Sequence, residues 1–222
     1  MLFSEISIIT VETPSFGQNA YIAHRVDQTT CFLVDTGFDP DMVIAEVERR
    51  QLEPAAILIT HGHIDHIAGI SEILRKWSNC DIWIGDKEKD KLSDPMKNLS
   101  GAFGMPVSID GPIRSLADGE EIEPAEIPIR VLHIPGHSRG HVAFQVLCSD
   151  RQAVFVGDII FSGSIGRTDF PDGNMQQLLT GIREKILSLP EDTLLFPGHG
   201  PSTTVGEERQ DNPFLNDPSF LR

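Results

Sequence analysis

One motif recurs along the chain: an apolar run, a turn containing glycine, and then a side chain able to ligate a metal. Ala55-Ala56-Ile57-Leu58-Ile59 leads into Thr60-His61-Gly62-His63, and Ile129-Arg130-Val131-Leu132-His133-Ile134 leads into Pro135-Gly136-His137. Ala153-Val154-Phe155-Val156 leads into Gly157-Asp158, and Thr193-Leu194-Leu195-Phe196 into Pro197-Gly198-His199. Runs this short and apolar read as buried strands. Loops at strand ends are where a rigid sheet aims several side chains at one point. The motif therefore predicts a sheet protein whose strands deliver His and Asp to a common edge.

The densest segment is His61-Gly62-His63-Ile64-Asp65-His66. His61, His63 and Asp65 are two apart, so an extended backbone points them to one side, and His66 is expected to open a helix. Three imidazoles and a carboxylate in six residues exceed what packing or solubility asks for. An unliganded surface cluster is the plain alternative. His137, Asp158 and His199 are unremarkable singly, as a hydrogen-bonding histidine or a Gly-Asp turn, but their shared strand-end context places them with the first cluster. The full set is too large for one tetrahedral site and sufficient for two ions. Imidazole with carboxylate suits zinc, iron or manganese.

Helices alternate with these strands. Strand-like runs cover residues 6–11, 20–23 and 31–34. Pro40 at a first helical position, with Asp39 as cap, starts a helix bearing Val43, Ile44 and Val47 on one face. The spacing of Ile67, Ile70, Leu74 and Trp77 predicts a second helix, and Leu178, Ile182, Ile186 and Leu189 a third, capped by Asn174. From Gly85 to Asp118 the pattern gives way to charge, Pro and Gly, and is expected to form a solvated helix and a long loop, with a flap over a site as the functional alternative. Asn212-Pro213-Phe214-Leu215 reads as a packed tail. No composition break or linker divides the chain, so a single domain over 1–222 is expected.

Bulk properties narrow the function. The 222 residues carry 33 acids against 18 bases, a net charge of −15, which leaves no basic footprint for nucleic acid. No apolar run reaches the length of a membrane span, and the N-terminus lacks the pattern of a signal peptide. With Cys31, Cys80 and Cys148 outside any paired motif, reduced thiols and a cytoplasmic protein are expected.

The array His61-Xaa-His63-Xaa-Asp65-His66 with His137, Asp158 and His199 resembles the metallo-β-lactamase superfamily over nearly the whole chain. The resemblance implies an α/β four-layer αββα sandwich with metals at one edge. It implies His61, His63 and His137 on a first ion, Asp65, His66 and His199 on a second, and Asp158 bridging them. Asp65 and Asp158 are thereby also the catalytic candidates. Zinc is the expected metal, with iron or manganese as alternatives. Within that superfamily, Gly157-Asp158-Ile159-Ile160-Phe161-Ser162-Gly163-Ser164-Ile165-Gly166-Arg167-Thr168-Asp169-Phe170-Pro171 and Pro197-Gly198-His199-Gly200-Pro201-Ser202-Thr203-Thr204 resemble short, single-domain glyoxalase II-like hydrolases. Longer glyoxalase II enzymes add a helical C-terminal domain for glutathione, and none is expected here.

The expected reaction is hydrolysis of S-D-lactoylglutathione or a related 2-hydroxyacyl thioester. Paired ions lower the pKa of a shared water from about 15.7 toward neutrality. A thiolate, with a conjugate-acid pKa of about 8.5, departs without a strong general acid. No acid beyond the ligands is evident in the motifs, which suits a thioester better than an amide. The substrate partner is then a small thioester on a glutathione-type carrier, and the protein a monomer or weak oligomer. One alternative is a persulfide dioxygenase with one iron on His61, His137 and Asp158, a relative that shares the Gly166-Arg167-Thr168-Asp169-Phe170 run. Another is a non-catalytic metal-binding protein of the same fold. His133 and His141 are candidates to orient His137 from behind, and Asp35 to accept an imidazole N–H. Arg167 is a candidate for a substrate carboxylate or for a buried pair with Asp169; Tyr21 and His24 carry no functional argument.

Overall fold

The computed structural model describes residues 5–147 and 151–216; Cys148 and the start of the N-terminus lie outside them. The chain opens with three strands, β1 (Ile6–Thr13), β2 (Gln18–Arg25) and β3 (Thr30–Val34), followed by helix α1 (Pro40–Arg49) and strand β4 (Glu53–Ile59). Short helices α2 (Ile64–Ile67) and α3 (Ile70–Lys76) lead to strands β5 (Asp81–Gly85) and β6 (Ile113–Leu116), with a 3₁₀ turn at Asp86–Lys91 between the two strands. Strands β7 (Glu121–Ile122), β8 (Ile129–His133), β9 (Val142–Val146) and β10 (Ala153–Gly157) follow, then the small hairpin β11 (Ile160–Phe161) and β12 (Ser164–Ile165). Helix α4 (Met175–Gly181) runs on into a wider π turn, and β13 (Leu194–Pro197), β14 (Thr203–Thr204), α5 (Val205–Asp211) and α6 (Pro213–Asn216) complete the described residues.

Among the described residues two six-stranded sheets form, in the orders β1-β2-β3-β4-β5-β6 and β14-β13-β10-β9-β8-β7. Strands β3, β4, β5 and β6 are parallel, as are β10 and β13. Parallel strands are covered on both faces, which explains why Ile57-Leu58-Ile59 and Val154-Phe155-Val156 are unbroken apolar runs. One face of each sheet meets the other through Ile8, Tyr21, Phe32, Leu58, Val131, Phe144, Phe155 and Phe196. Phe155 lies 5.2 Å from Tyr21 and 5.4 Å from Phe196, ring centre to ring centre. The outer face of the first sheet packs Ile22, Leu33, Ile57 and Ile82 on Val43 and Val47 of α1 and Ile70 and Ile73 of α3. The outer face of the second packs Ala143, Val154, Val156 and Leu195 on Leu178, Leu179, Ile182 and Ile186. The result is the αββα sandwich. The tail is packed as expected, with Leu215 buried. Among the described residues no helix is long and apolar enough to cross a membrane.

Three local expectations change. The helix expected through Ile67 and Trp77 is broken after Ile67, because the Gly69 N–H bonds to the Gly37 carbonyl at 3.0 Å instead of continuing the ladder. Trp77 falls just past the end of α3. Asp39 precedes α1 without capping it: its carboxylate accepts from the N–H and hydroxyl of Ser15 at 2.9 and 2.8 Å, pinning the β1–β2 turn. Asn174 does cap α4, accepting from the Gln177 N–H at 3.0 Å.

Candidate metal centre

The strand order brings the four ligand-bearing loops to one edge. The end of β4 supplies the segment Thr60–His66, the loop after β8 His137, the end of β10 Asp158 and the end of β13 His199, with Asp35 at the end of β3 behind them. The sheets are tied together at that edge. The Thr60 carbonyl accepts from Val142 N–H at 2.9 Å, and the Pro197 carbonyl accepts from the Tyr21 hydroxyl at 2.5 Å and the Asn19 amide at 3.1 Å.

The cluster sorts into triads. His61, His63 and His137 form one, and Asp65, His66 and His199 another; His61, His66 and Asp158 lie across them, with the candidate donor atoms in each set within 4.8 Å of one another. His137 Nε2 is 3.2 Å from His61 Nε2 and 3.0 Å from His63 Nδ1. Asp65 Oδ2 is 3.2 Å from His199 Nε2 and 3.7 Å from His66 Nε2. Asp158 sits between, with Oδ1 3.4 Å from His66 Nε2 and Oδ2 3.6 Å from His137 Nε2 and 3.7 Å from His199 Nε2. The expectation that Asp65 shares a side with His61 and His63 does not hold. His63 is the last extended residue, α2 starts at Ile64, and the helical turn carries Asp65 round to His66 and His199.

Hydrogen bonds on the far side of each ring decide which nitrogen faces the cluster. His66 Nδ1 bonds Asp35 Oδ2 at 2.8 Å, His137 Nδ1 bonds the Arg167 carbonyl at 2.9 Å and His199 Nδ1 the Gly17 carbonyl at 3.2 Å. Each acceptor holds a proton on Nδ1 and leaves the Nε2 lone pair directed inward. His61 follows the same rule through a relay: its Nδ1 bonds Thr60 Oγ1 at 3.1 Å, and the Thr60 hydroxyl donates to Asp35 at 2.9 Å. Asp35 thus stands behind two imidazoles, in agreement with its expected role.

Electrostatics favour ligation. Burial and the surrounding imidazoles hold His61 and His63 well below the usual histidine range, and burial lowers His137, which favours the neutral ring that a metal needs. Burial acts to lower His66 as well, but Asp35, Asp65 and Asp158 outweigh it and raise its pKa well above the usual range. Burial acts to raise Asp158, but His66, His137 and His199 hold it far below the usual carboxylate range. His66 Nε2 and Asp158 Oδ1 are buried without a hydrogen-bond partner. Neutral imidazoles gather on one side and carboxylates that hold a proton on His66 on the other, so a cation that joins these donors takes the place of that proton. The donor set fits a divalent transition ion.

The Metallo-beta-lactamase superfamily profile matches residues 14–199. The chain is a member of that superfamily. The hydroxyacylglutathione hydrolase GloC of Haemophilus influenzae is 35% identical over 96% of this chain and 100% of its own length. The crystal structure of the B3 metallo-beta-lactamase BLEG-1 superposes with a TM-score of 0.88 at 35% identity, covering 95% of this chain and 100% of its own. The structure of TTHA1623 in a di-iron-bound form gives a TM-score of 0.79 at 32% identity, covering 93% and 100%. The fold is therefore that of the metallo-β-lactamases, and the chain belongs among their metallo-hydrolases.

Around this metallo-β-lactamase cluster several expectations are redrawn. His141 supports the site without touching His137 by a hydrogen bond. It stacks on His61 at 4.7 Å, and its Nε2 accepts from the Asp158 N–H at 3.1 Å. His133 lies elsewhere, bonded to the Arg139 carbonyl at 3.0 Å. Arg167 pairs with Asp169 through two bonds of 2.7 and 2.8 Å, but in the open, and its guanidinium lies 4.5 Å from the Phe170 ring centre. The charged run after β5 is the largest surprise: Glu88 and Lys91 are buried. Nothing in the sequence of that run distinguishes them from their solvated neighbours. Tyr21 also matters, as the strut under the Pro197–His199 turn.

A cavity of about 570 Å³ opens on the cluster. His63, Asp65, His137, Asp158 and His199 form its floor, and Phe16, Leu99, Phe103, Phe161, Ile165 and Phe170 its walls, with Arg167 at the side. Phe161, Ile165 and Phe170 come from the long stretch after Gly157 that the sequence singles out. Phe16 comes from the β1–β2 turn, which gave no signal, and Leu99 and Phe103 from the 85–118 segment expected as a loop or flap.

Proposed function

We propose that this protein is a two-metal thioester hydrolase of the glyoxalase II type, acting on S-D-lactoylglutathione or a related 2-hydroxyacyl thioester. The first ion is assigned to His61, His63 and His137, the second to Asp65, His66 and His199, with Asp158 between them. Bound ions supply a lowered water pKa and a Lewis acid for a carbonyl oxygen. The chain's own residues do the rest. Asp35, Thr60, the Gly17 carbonyl and the Arg167 carbonyl keep the imidazole lone pairs aimed inward. Asp65 and Asp158 supply the anionic charge, and the aromatic walls exclude bulk water and strengthen electrostatic interactions on the floor.

The observation that carries the reading is the composition of the cavity. Among the described residues, every titratable side chain lining it belongs to the metal cluster except Arg167, a permanent cation. No free acid stands ready to protonate an amine, whereas a thiolate leaves unaided. Arg167, exposed, stacked over Phe170 and ion-paired with its neighbour Asp169, is positioned to exchange that carboxylate for one on the thiol carrier. The similarity to GloC supports this substrate class; zinc is the proposed metal, and TTHA1623 supports iron as the alternative. Similarity to BLEG-1 favours β-lactam hydrolysis as a second reading.

Steady-state kinetics on lactoylglutathione, other acyl thioesters and a β-lactam test the proposal. Highest kcat/KM is expected on a 2-hydroxyacyl thioester. A β-lactam turned over efficiently while every thioester is inert would replace it with the second reading.

A further inference from the structure

Glu88 is wholly buried, yet it belongs to no ligand loop. Its Oε2 accepts from the Gly62 N–H at 2.9 Å, between His61 and His63. Its Oε1 accepts from the Ser138 hydroxyl at 2.9 Å and the Gly140 N–H at 2.8 Å, immediately after His137. One carboxylate therefore fastens the two loops that carry the first triad. The contact is close on both sides. A methyl group on Gly62 would lie 2.6 Å from Lys91 Cβ, and one on Gly140 would lie 2.7 Å from the Glu88 nitrogen. Lys91, 3% exposed in its side chain, compensates the buried charge from 3.3 Å and reaches Asp172 at 2.8 Å, which binds the loop after Phe170 into the same network.

The second triad is braced by other means. Asn19 donates to the Pro197 and Gly200 carbonyls at 3.1 and 2.8 Å, Tyr21 holds Pro197, and the Gly17 carbonyl orients His199. None of these groups hydrogen-bonds to Glu88, whose polar partners are Gly62, Ser138, Gly140 and Lys91.

We infer that Glu88 is a positioning residue for the first metal site alone, setting the spacing between the His61–His63 loop and His137, while Tyr21 and Asn19 set the second site. The inference rests on the two-ion assignment above but not on the substrate. A buried carboxylate accepting three hydrogen bonds from two loops fixes their separation, and an amide in its place offers one acceptor and turns two donors toward groups that also donate. Losses of this kind, one layer behind a ligand, typically weaken metal binding about 10- to 100-fold.

The test is stepwise cobalt(II) titration of metal-free protein, followed by absorption spectroscopy. Wild type is expected to take up two ions in distinguishable steps. Glu88→Gln should weaken one step about 10- to 100-fold and leave the other unchanged, and Tyr21→Phe should weaken the complementary step. Ser138→Ala, which removes a single hydrogen bond and spares Glu88, should shift the same step as Glu88→Gln by less; it carries the test if Glu88→Gln fails to fold. Equal weakening of both steps, no change in either, or the same step affected by the Glu88 and Tyr21 variants would overturn the inference. Wild type that binds fewer than two ions would overturn the two-ion assignment and the inference with it, whereas two ions without thioester turnover would overturn only the substrate.

Discussion

Asp35→Asn is the sharpest test of how the ligands are aimed. Asp35 is buried and accepts three hydrogen bonds: Thr60 N–H on Oδ1 at 2.9 Å, and Thr60 O–H at 2.9 Å and His66 Nδ1–H at 2.8 Å on Oδ2. Asparagine has one acceptor oxygen, so only two arrangements are open to it. With the oxygen toward His66, the amide NH₂ faces the Thr60 N–H and a buried donor is left unsatisfied, at a cost of about 1–3 kcal/mol. With the oxygen toward Thr60 N–H, the NH₂ meets His66 Nδ1, and the imidazole proton must move to Nε2, where it occupies the lone pair needed by the second ion. The backbone does not confuse the test. Asp35 sits at φ 54°, a left-handed conformation that Asn tolerates as well as Asp. Metal-free protein should lose roughly 2–12 °C in Tm, taking about 2–4 °C per kcal/mol for a chain of this size. Metal affinity should fall about 10- to 100-fold. Thermal unfolding in chelator and metal titration read the two effects separately. An Asp35→Asn protein with unchanged metal affinity and unchanged Tm would refute the orienting role.

Asp158→Asn keeps the shape but removes the charge lying 3.4 Å from His66 Nε2; ion content should fall, and turnover should drop by more than the roughly 100-fold seen for partners one layer further out, as metal analysis and initial rates will show. Prolonged chelation should abolish activity and lower Tm, with both restored by divalent ions, because ions that bind only the folded chain stabilise it by about 2.7 kcal/mol at a hundred times their Kd. Burial pushes the Cys31 and Cys80 thiols up to about 12, so at pH 8 both are protonated and a disulfide reagent should label neither until denaturant is added.

The sandwich and the members of the cluster were legible because each strand is an apolar run closed by a glycine turn and a ligand, a pattern local enough to read directly. The three-layered burial, with Phe155 meeting Tyr21 and Val154 meeting the helices, follows from alternation along those same runs. What the sequence hides is whatever depends on partners remote along the chain. Spacing alone sets Asp65 beside His63, whereas the start of α2, one residue before it, rotates the carboxylate to His66 and His199, the side that the family resemblance implies. Gly69 sits inside an apparently regular helical stripe, and its break depends on a carbonyl from Gly37. Glu88 and Lys91 lie in a run of alternating charges whose burial depends on glycines 62 and 140, far off in sequence, leaving room for them. Tyr21 looks like a core aromatic until its hydroxyl is seen under Pro197.

The account stands most directly on one measurement: turnover of lactoylglutathione followed against the number of ions bound per chain, with thiol release and oxygen uptake recorded in the same reaction. It predicts that the rate rises with occupancy to a maximum at two ions, that one thiol appears for each thioester consumed, and that no oxygen is taken up. Full thioester activity with a single ion would contradict the two-ion centre. An enzyme holding one iron that consumes oxygen with glutathione persulfide and leaves thioesters untouched would contradict the hydrolase itself.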